Sequence, residues 1–384
     1  DGFATREEVK RLDHAQQAKL FELLDAAEVV TLETARAYLD VLRYRKLVNL
    51  VEESYVRHKA VFEQIQEKAK AGVARRVDLE QAAGRLALAE SNLLTETANL
   101  HDVSARYQRL VGEAPAADMA ADTALVAQGL PADAKQALVA AEANNPGLRA
   151  AVENLRAAQA AVGTRRAAYQ PRVDLKLAGE RGSDLNGYTG RTENQTAEVV
   201  LTWNLFNGFS DQARSRQAAE QSNEAKDLRD KACRDLRQTT AIAYNDTRKL
   251  AEQLGYLDQH QLATEKARDA YRKQFDIGQR TLLDLLDTEN ELFQARRAYS
   301  NAEYDLLIAQ ARTQAGTGRL LATLGLSRVA GVADTELPAT GQWQAGEDAP
   351  EQCPPEGPSL YVSDKAALDA RAAELLKESA PAGR

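Results

Sequence analysis

The stretch Phe275-Asp276-Ile277-Gly278-Gln279-Arg280-Thr281-Leu282-Leu283-Asp284-Leu285-Leu286-Asp287-Thr288-Glu289-Asn290 decides how the chain is built. Long helical patterns run into it and out of it. Gly278 breaks the first, Thr281 is a cap for the second, and Asp284 and Asp287 fall three apart on the new helix's first turns. An earlier copy, Gly72-Val73-Ala74-Arg75-Arg76-Val77-Asp78-Leu79, pairs Gly72 with Gly278, Asp78 with Asp284 and Leu79 with Leu285 at an offset of 206 residues. Asp1-Gly2-Phe3 and Asn207-Gly208-Phe209 repeat at that same offset. The chain therefore reads as two copies of one unit: a loop motif, a helix of some seventy residues, a Gly-marked turn and a returning helix.

Composition agrees with a long-helix protein. Charged residues make up 28% of the chain, aromatics only 5%, and the net charge is -8. Much of the apolar fraction is alanine, which favours helix and close helix packing over a wide core. The acidic balance, with no basic patch interleaved with aromatics, argues against nucleic acid. No run of 18 apolar residues encodes a membrane-spanning helix. Cys233 and Cys353 lie far apart in different kinds of segment, and their pairing is left open.

Residues 5 to 70 read as one helix, without Pro or Gly, on the order of 100 Å long. The partner arm, 211 to 277, carries Ala225, Leu228, Ala232, Leu236, Ala243, Leu250, Leu254 and Leu257 at steps that describe a coiled-coil-like packing seam. Helices return over 78–111 and 283–313. Residues 112–134 hold Pro115, Gly129 and Pro131 and read as a connector. Asn144-Asn145-Pro146 opens a further helix that Gln170-Pro171 stops.

The period then changes to two. Val173, Leu175 and Leu177 alternate with Asp174, Lys176 and Ala178; Ala197, Val199, Leu201, Trp203 and Leu205 alternate with Glu198, Val200, Thr202 and Asn204. Such alternation marks strands with one apolar and one polar face. Flanked by very long helices, this hairpin has no partner sheet to cover it, and a lone hairpin is only marginally stable in water. Lipid on one side and a watery lumen on the other fit the pattern. Two strands cannot close a barrel, and open edges are not tolerated in lipid. The offset of 206 places a twin hairpin, preceded by a helix, upstream of Asp1, and even four strands per chain require several chains to share one barrel. Past Gly325, Pro338, Pro350, Pro354, Pro355 and Pro358 mark a tail without its own core, in which Asp364 to Glu378 read as a short helix.

These residues resemble the TolC family of outer-membrane efflux and secretion proteins. The motifs that carry the resemblance are Leu205-Phe206-Asn207-Gly208-Phe209, its partial copy Asp1-Gly2-Phe3, and Gly278-x-Arg280-Thr281 leading into Asp284-Leu285-Leu286-Asp287, then Asn290, Leu292 and Ala295. The likeness covers residues 1 to 326, and the second copy looks most like members that work in type I secretion. It implies a mainly helical homotrimer whose duplicated helical hairpins form an α-barrel below a shared twelve-stranded membrane β-barrel. The resulting divisions are 1–111, first-repeat tunnel helices; 112–144, equatorial connector; 145–170, the helix leading to the barrel; 171–209, the outer-membrane hairpin; 210–313, second-repeat tunnel helices; 314–328, equatorial segment; and 329–384, the Pro- and Gly-rich tail.

The resemblance also implies roles. Carboxylates matching Asp284 and Asp287 line a pore constriction, and residues matching Asp78, Arg280 and Phe275 sit in links that hold the periplasmic tip shut. This chain has Phe275 where Tyr is usual, so no hydroxyl is available there to bond the Asp78 side. Local roles stand beside these. Thr281-x-x-Asp284 is a capping-box pattern, which makes Asp287 the better pore carboxylate, and Arg280 could simply be solvated. Three copies would bring six such carboxylates together, attracting cations.

His14, His58, His101 and His260 lack paired ligand spacing, and no nucleophile-base set, phosphate loop or zinc pattern is visible. The expectation is a passive duct, not an enzyme, without metal or cofactor. It would sit in the outer membrane of a Gram-negative cell, reach into the periplasm, and work with a periplasmic adaptor and an inner-membrane ABC or proton-driven transporter. Two alternatives remain: a periplasmic adaptor built on a helical hairpin, and a coiled-coil scaffold or adhesin.

Overall fold

The computed structural model describes residues 1–120, 124–184, 187, 189–326, 343–353 and 363–379. Each repeat opens on two successive left-handed residues. Gly2 and Phe3 have φ of 62° and 67°, and Gly208 and Phe209 have 67° and 66°. Such a φ is uncommon for phenylalanine, and a polar residue ahead of each pair secures the turn. The Asp1 carboxylate accepts from the Phe3 and Thr5 amides at 3.1 Å, and Asn207 Oδ1 accepts from the Asp211 amide at 3.3 Å.

Helices α1 (Ala4–Lys70) and α5 (Ser210–Asp276) follow, each of 67 residues. They begin and end at the repeat offset, and each is about 100 Å long. The turns at Gly72 and Gly278 have φ of 77° and 78° and return the chain into α2 (Arg76–Val111) and α6 (Leu282–Gly316).

Between the repeats, the connector holds a 3-10 turn (Ala124–Ala127) and α3 (Ala134–Asn144), a helix the sequence reading did not separate out. Helix α4 (Pro146–Arg166) starts as expected, with Asn145 Oδ1 accepting from the Leu148 amide at 3.0 Å and Pro146 in its first turn. A 3-10 turn, Ala167–Tyr169, delivers the chain to β1 (Arg172–Ser183), which pairs antiparallel with β2 (Arg191–Thr202). After α6 come α7 (Leu320–Thr323) and, near the C-terminus, α8 (Lys365–Ser379).

The helices pack as two hairpins, α1 on α2 and α5 on α6, joined along α1–α6 at one end and through α4 at the other. The apolar interior is thin and split into small clusters. Charge fills much of the remainder: Glu28, Asp40, Glu96, Glu153, Arg229, Asp230 and Glu289 are all buried. No described helix is long and apolar enough to cross a membrane.

Two expectations change. The seam drawn on α5 is only partly covered: Ala243 is buried, the neighbouring members are half-buried, and Leu228 is exposed. The buried stripe of α5 runs instead through Arg229, Asp230, Cys233, Arg237, Thr240 and Tyr244, because α3, α4 and a piece of the tail lie on that side. That piece is residues 343–353. It has no core of its own, but it is fastened to the helices by a disulfide between Cys233 and Cys353, whose Cα atoms are 5.9 Å apart. Tyr188 and the tail residues Pro338, Pro354, Pro355 and Pro358 lie outside the described residues.

Candidate functional site

At the end of the hairpins the two Gly turns lie side by side because α1, α2 and α6 share one apolar cluster. Val61, Ile65, Ala82, Leu282, Leu285 and Leu286 form it, with Phe62, Leu79 and Phe275 packed against it. Both turns use the same closure. Gly72 N donates to Ala69 O and Val73 N to Lys68 O, while Gly278 N donates to Phe275 O and Gln279 N to Gln274 O, at 2.8–3.0 Å. The outermost apolar side chains, Val73 and Ile277, are left bare at 75% and 69% exposure.

The candidate residues sit on this frame as follows. Asp284 completes a capping box. Its Oδ2 accepts from the Thr281 amide at 3.2 Å and the Thr281 hydroxyl at 2.8 Å, and its own amide donates to Thr281 Oγ1 at 3.3 Å. These bonds, the hydroxyl's foremost, hold the Asp284 carboxyl below the usual aspartate range. Asp287 pairs with Arg85 of α2 and keeps about half of its side chain in solvent. Arg85 was not singled out in the sequence, because the contact joins residues 202 apart that the repeat does not relate.

Asp78 and Arg280 are satisfied separately within the protomer. Asp78 takes a two-pronged contact from Arg75, at 3.1 and 3.2 Å. The Arg280 guanidinium donates to Gln274 Oε1 at 2.9 Å, lies 4.2 Å from the Tyr271 ring centre and reaches Asp284 at 4.0 Å. Phe275 faces the apolar cluster on one side and the Lys68 ammonium, 5.2 Å from its ring, on the other. A ring without a hydroxyl suits that position.

At the opposite end stands the hairpin. Its register sets Val173 opposite Leu201, Leu175 opposite Val199 and Leu177 opposite Ala197, so the apolar residues share one face. The other face carries Lys176 opposite Glu198 and Ala178 opposite Thr196. Each strand has 12 residues, enough for a tilted membrane strand, which needs about 9–11. The apolar face is open, with Leu175, Leu177 and Val199 each at least 69% exposed. Where strand meets helix, Trp203 Nε1 donates to Tyr169 O at 3.2 Å. Beside it, Leu205, Phe206 and Phe209 are exposed, with the two phenylalanine rings edge-on at 5.4 Å. Gly208 supplies the φ of 67° that leads the motif into α5.

Compared with known proteins, residues 137–319 match the family model described as "Outer membrane efflux protein". The chain is a homologue of the TolC-type outer-membrane efflux proteins. It is 26% identical to the outer membrane efflux protein BepC of Brucella suis, over 85% of this chain and 71% of that one. It is 29% identical to the alkaline protease secretion protein AprF of Pseudomonas aeruginosa, over 74% of this chain and 60% of that one. The chain thus spans less than two thirds of AprF. In fold, it superposes on the crystal structure of the Campylobacter jejuni CmeC outer membrane channel with a TM-score of 0.72 and 15% identity, over 83% of this chain and 68% of that one. The family is one of channel proteins rather than enzymes, and its place is the Gram-negative outer membrane.

Proposed function

We propose that three copies of this chain assemble into a continuous exit duct for efflux or type I secretion. Each copy would contribute its hairpin to a twelve-stranded barrel and its long helices to a periplasmic tunnel. The observation that carries this reading is the hairpin's exposed apolar band, Val173, Leu175, Leu177, Val199 and Leu201 on one face, with a mostly polar face opposite and the Arg181–Glu193 pair beyond it toward the loop. Lipid covers such a face where water would destabilise it. The ring of Tyr169, Trp203, Phe206 and Phe209 at its root suits the membrane–water boundary, where aromatics concentrate. Twelve strands over three copies call for four per protomer, of which β1 and β2 would be two. The half-covered α5 seam offers a surface for the neighbouring copy.

The Gly72 and Gly278 turns would form the periplasmic tip, with Asp284 and Asp287 at its constriction and Asp78, Arg280 and Phe275 in the contacts that keep it closed. The bare Val73 and Ile277 side chains would give a periplasmic adaptor its docking point. An inner-membrane ABC or proton-driven transporter would supply the energy. AprF's name favours secretion as one task.

Reconstitution in planar bilayers tests this. The full chain should insert as a trimer and conduct with cation preference. The double variant Asp284→Ala/Asp287→Ala should raise the conductance and weaken that preference. A chain that stays folded and monomeric in detergent-free buffer overturns the duct, and unchanged ion selectivity removes the two carboxylates from the pore.

A further inference from the structure

Glu289 lies on α6 just past Asp287 and immediately above the apolar tip cluster. Its side chain is only 3% exposed. Three guanidiniums face it: Arg57 of α1 at 3.4 Å, and Arg268 and Arg272 of α5, each at 3.8 Å. The charged groups around these are otherwise engaged. Glu53 pairs with Arg57 and Arg296, Arg296 also pairs with Glu265, and Arg268 pairs with Asp269. Glu289 is thus the counter-ion that cations of both hairpins share, Arg57 from the first and Arg268 and Arg272 from the second.

Further up the α1–α6 seam, Lys46–Glu303 at 2.6 Å is a more exposed pair, and Arg43, which meets Asp305 at 2.7 Å, also pairs with Asp40 of its own helix. At Glu289 the hydrogen bonding is incomplete. Its Oε1 and the Arg268 Nε are both buried without a hydrogen-bond partner. Glu289 Oε2 accepts one long hydrogen bond from Arg57 Nη1 at 3.4 Å, so charge attraction carries much of this point. Removing one partner of a buried ionic group leaves the rest uncompensated in low dielectric. Neutralising Glu289 would leave three like charges facing one another across the joint between the hairpins, about two helical turns from the start of α6.

We propose that Glu289 is a positioning residue that latches the two helical hairpins in the register that keeps the tip closed, with Arg57, Arg268 and Arg272 as its keepers. This deepens the duct reading and rests on it. The latch predicts that losing the carboxylate charge drives the hairpins apart by mutual repulsion of the arginines, and that removing one arginine as well relieves it.

The test is made on the full chain in detergent, with spin labels at Val73 and Ile277, one on each tip turn, and distances read by pulsed electron resonance. Glu289→Gln should lose the short-distance population of the parent and, in planar bilayers, conduct more. Glu289→Gln/Arg268→Gln should recover both in part, because fewer arginines then repel one another while the Arg57–Glu289 attraction stays lost. Arg57→Gln frees the first hairpin from Glu289 without touching α5, so it should open the tip in the same way even if Glu289→Gln folds poorly. Parent-like distances in both Glu289→Gln and Arg57→Gln overturn the latch. So does a double variant more open than the single, since a side chain that merely fills space is not rescued by a second loss. The distances require no conduction, so a chain that never conducts, whatever its variant, refutes the duct rather than the latch.

Discussion

The belt around α4 and α5 and the tip around Gly72 and Gly278 are built from the same long, charged helices, and they are fastened in opposite ways. At the belt, Glu153 is fully buried and lies 2.7 Å from His14 Nδ1, accepts from Trp343 Nε1 at 2.7 Å and pairs with Arg156 at 2.8 Å. Trp343 packs edge-on against Phe21, with the Arg149 guanidinium 5.1 Å from its ring. Downstream, Arg156 binds Asp348 at 3.0 Å, Arg229 donates to Asp348 O at 3.0 Å, and Asp230 accepts from the Glu351 amide at 3.1 Å, before the strap ends on the disulfide. Apart from Glu153–Arg156, these contacts join residues more than a hundred positions apart. At the tip, Asp78 meets Arg75 and Asp284 meets Thr281, each three residues away and partly in solvent, and the one longer link beside them, Arg85–Asp287, leaves about half of the Asp287 side chain in solvent. Exposed pairs of this kind are worth about 0–1 kcal/mol each. The difference teaches where such a molecule can yield: the belt resists any change of shape, while the tip's polar contacts give way at small cost.

The sharpest way to break the contrast is to cut the strap. Cys353→Ser removes a crosslink spanning 120 residues, a loss of roughly 4–5 kcal/mol in the loop-closure account. Protease cutting within 343–353 should become rapid, and thermal unfolding in detergent should shift down. Reductant on the parent should do the same. If the strap stays protected, Trp343, Asp348 and Glu351 hold it unaided, and the belt owes its rigidity to buried charge alone.

A tip variant should do far less. Thr281→Ala loses the α6 cap, worth about 1 kcal/mol, and its effect should depend on pH. Asp284 titrates below its ordinary value of 3.8 because of Thr281. A depressed carboxyl stabilises the fold above its unfolded pKa and loses that contribution as pH falls through the folded one. The gap in thermal stability between parent and Thr281→Ala should therefore be full at neutral pH and shrink on acidification below about 4. A gap that persists unchanged in acid would mean that the threonine acts through packing instead of its bond to Asp284.

What could be read in the sequence follows the same division. Helix ends, the Gly turns and the capping box are local, written within four residues of where they act, and the offset of 206 doubled each signal. Both 67-residue helices begin and end within a residue of the sequence reading. The strands were legible because alternation is local too. The belt was not. Nothing near Trp343 announces Glu153, and two cysteines 120 apart state no pairing. The stripe through Arg229, Asp230 and Arg237 defeated a seam drawn from alanine and leucine, since buried ion pairs look like solvated ones until their partners are placed. Arg85 and the three arginines at Glu289 belong to the same class: each charge is unremarkable alone, and only the crossing of α1, α2, α5 and α6 sets them together.

The smallest expected change in stability concerns Arg280, and it bears most directly on how the tip closes. Its three holds are all weak: one hydrogen bond to Gln274, a ring contact with Tyr271 and a 4.0 Å approach to Asp284. A cation over an exposed ring contributes about 0.5–1 kcal/mol, and the side chain is 38% exposed. Arg280→Ser should therefore leave unfolding and assembly in detergent indistinguishable from the parent. In the closed duct the same guanidinium is proposed to link the tip, so conductance at rest should rise in planar bilayers. The two measurements separate the roles, because an arginine that is merely solvated moves neither, whereas a structural one moves the unfolding curve first. A leak without loss of stability is the outcome that the belt–tip contrast demands; a variant as tight as the parent would return Arg280 to the solvent and leave closure to the apolar cluster and the charges above it.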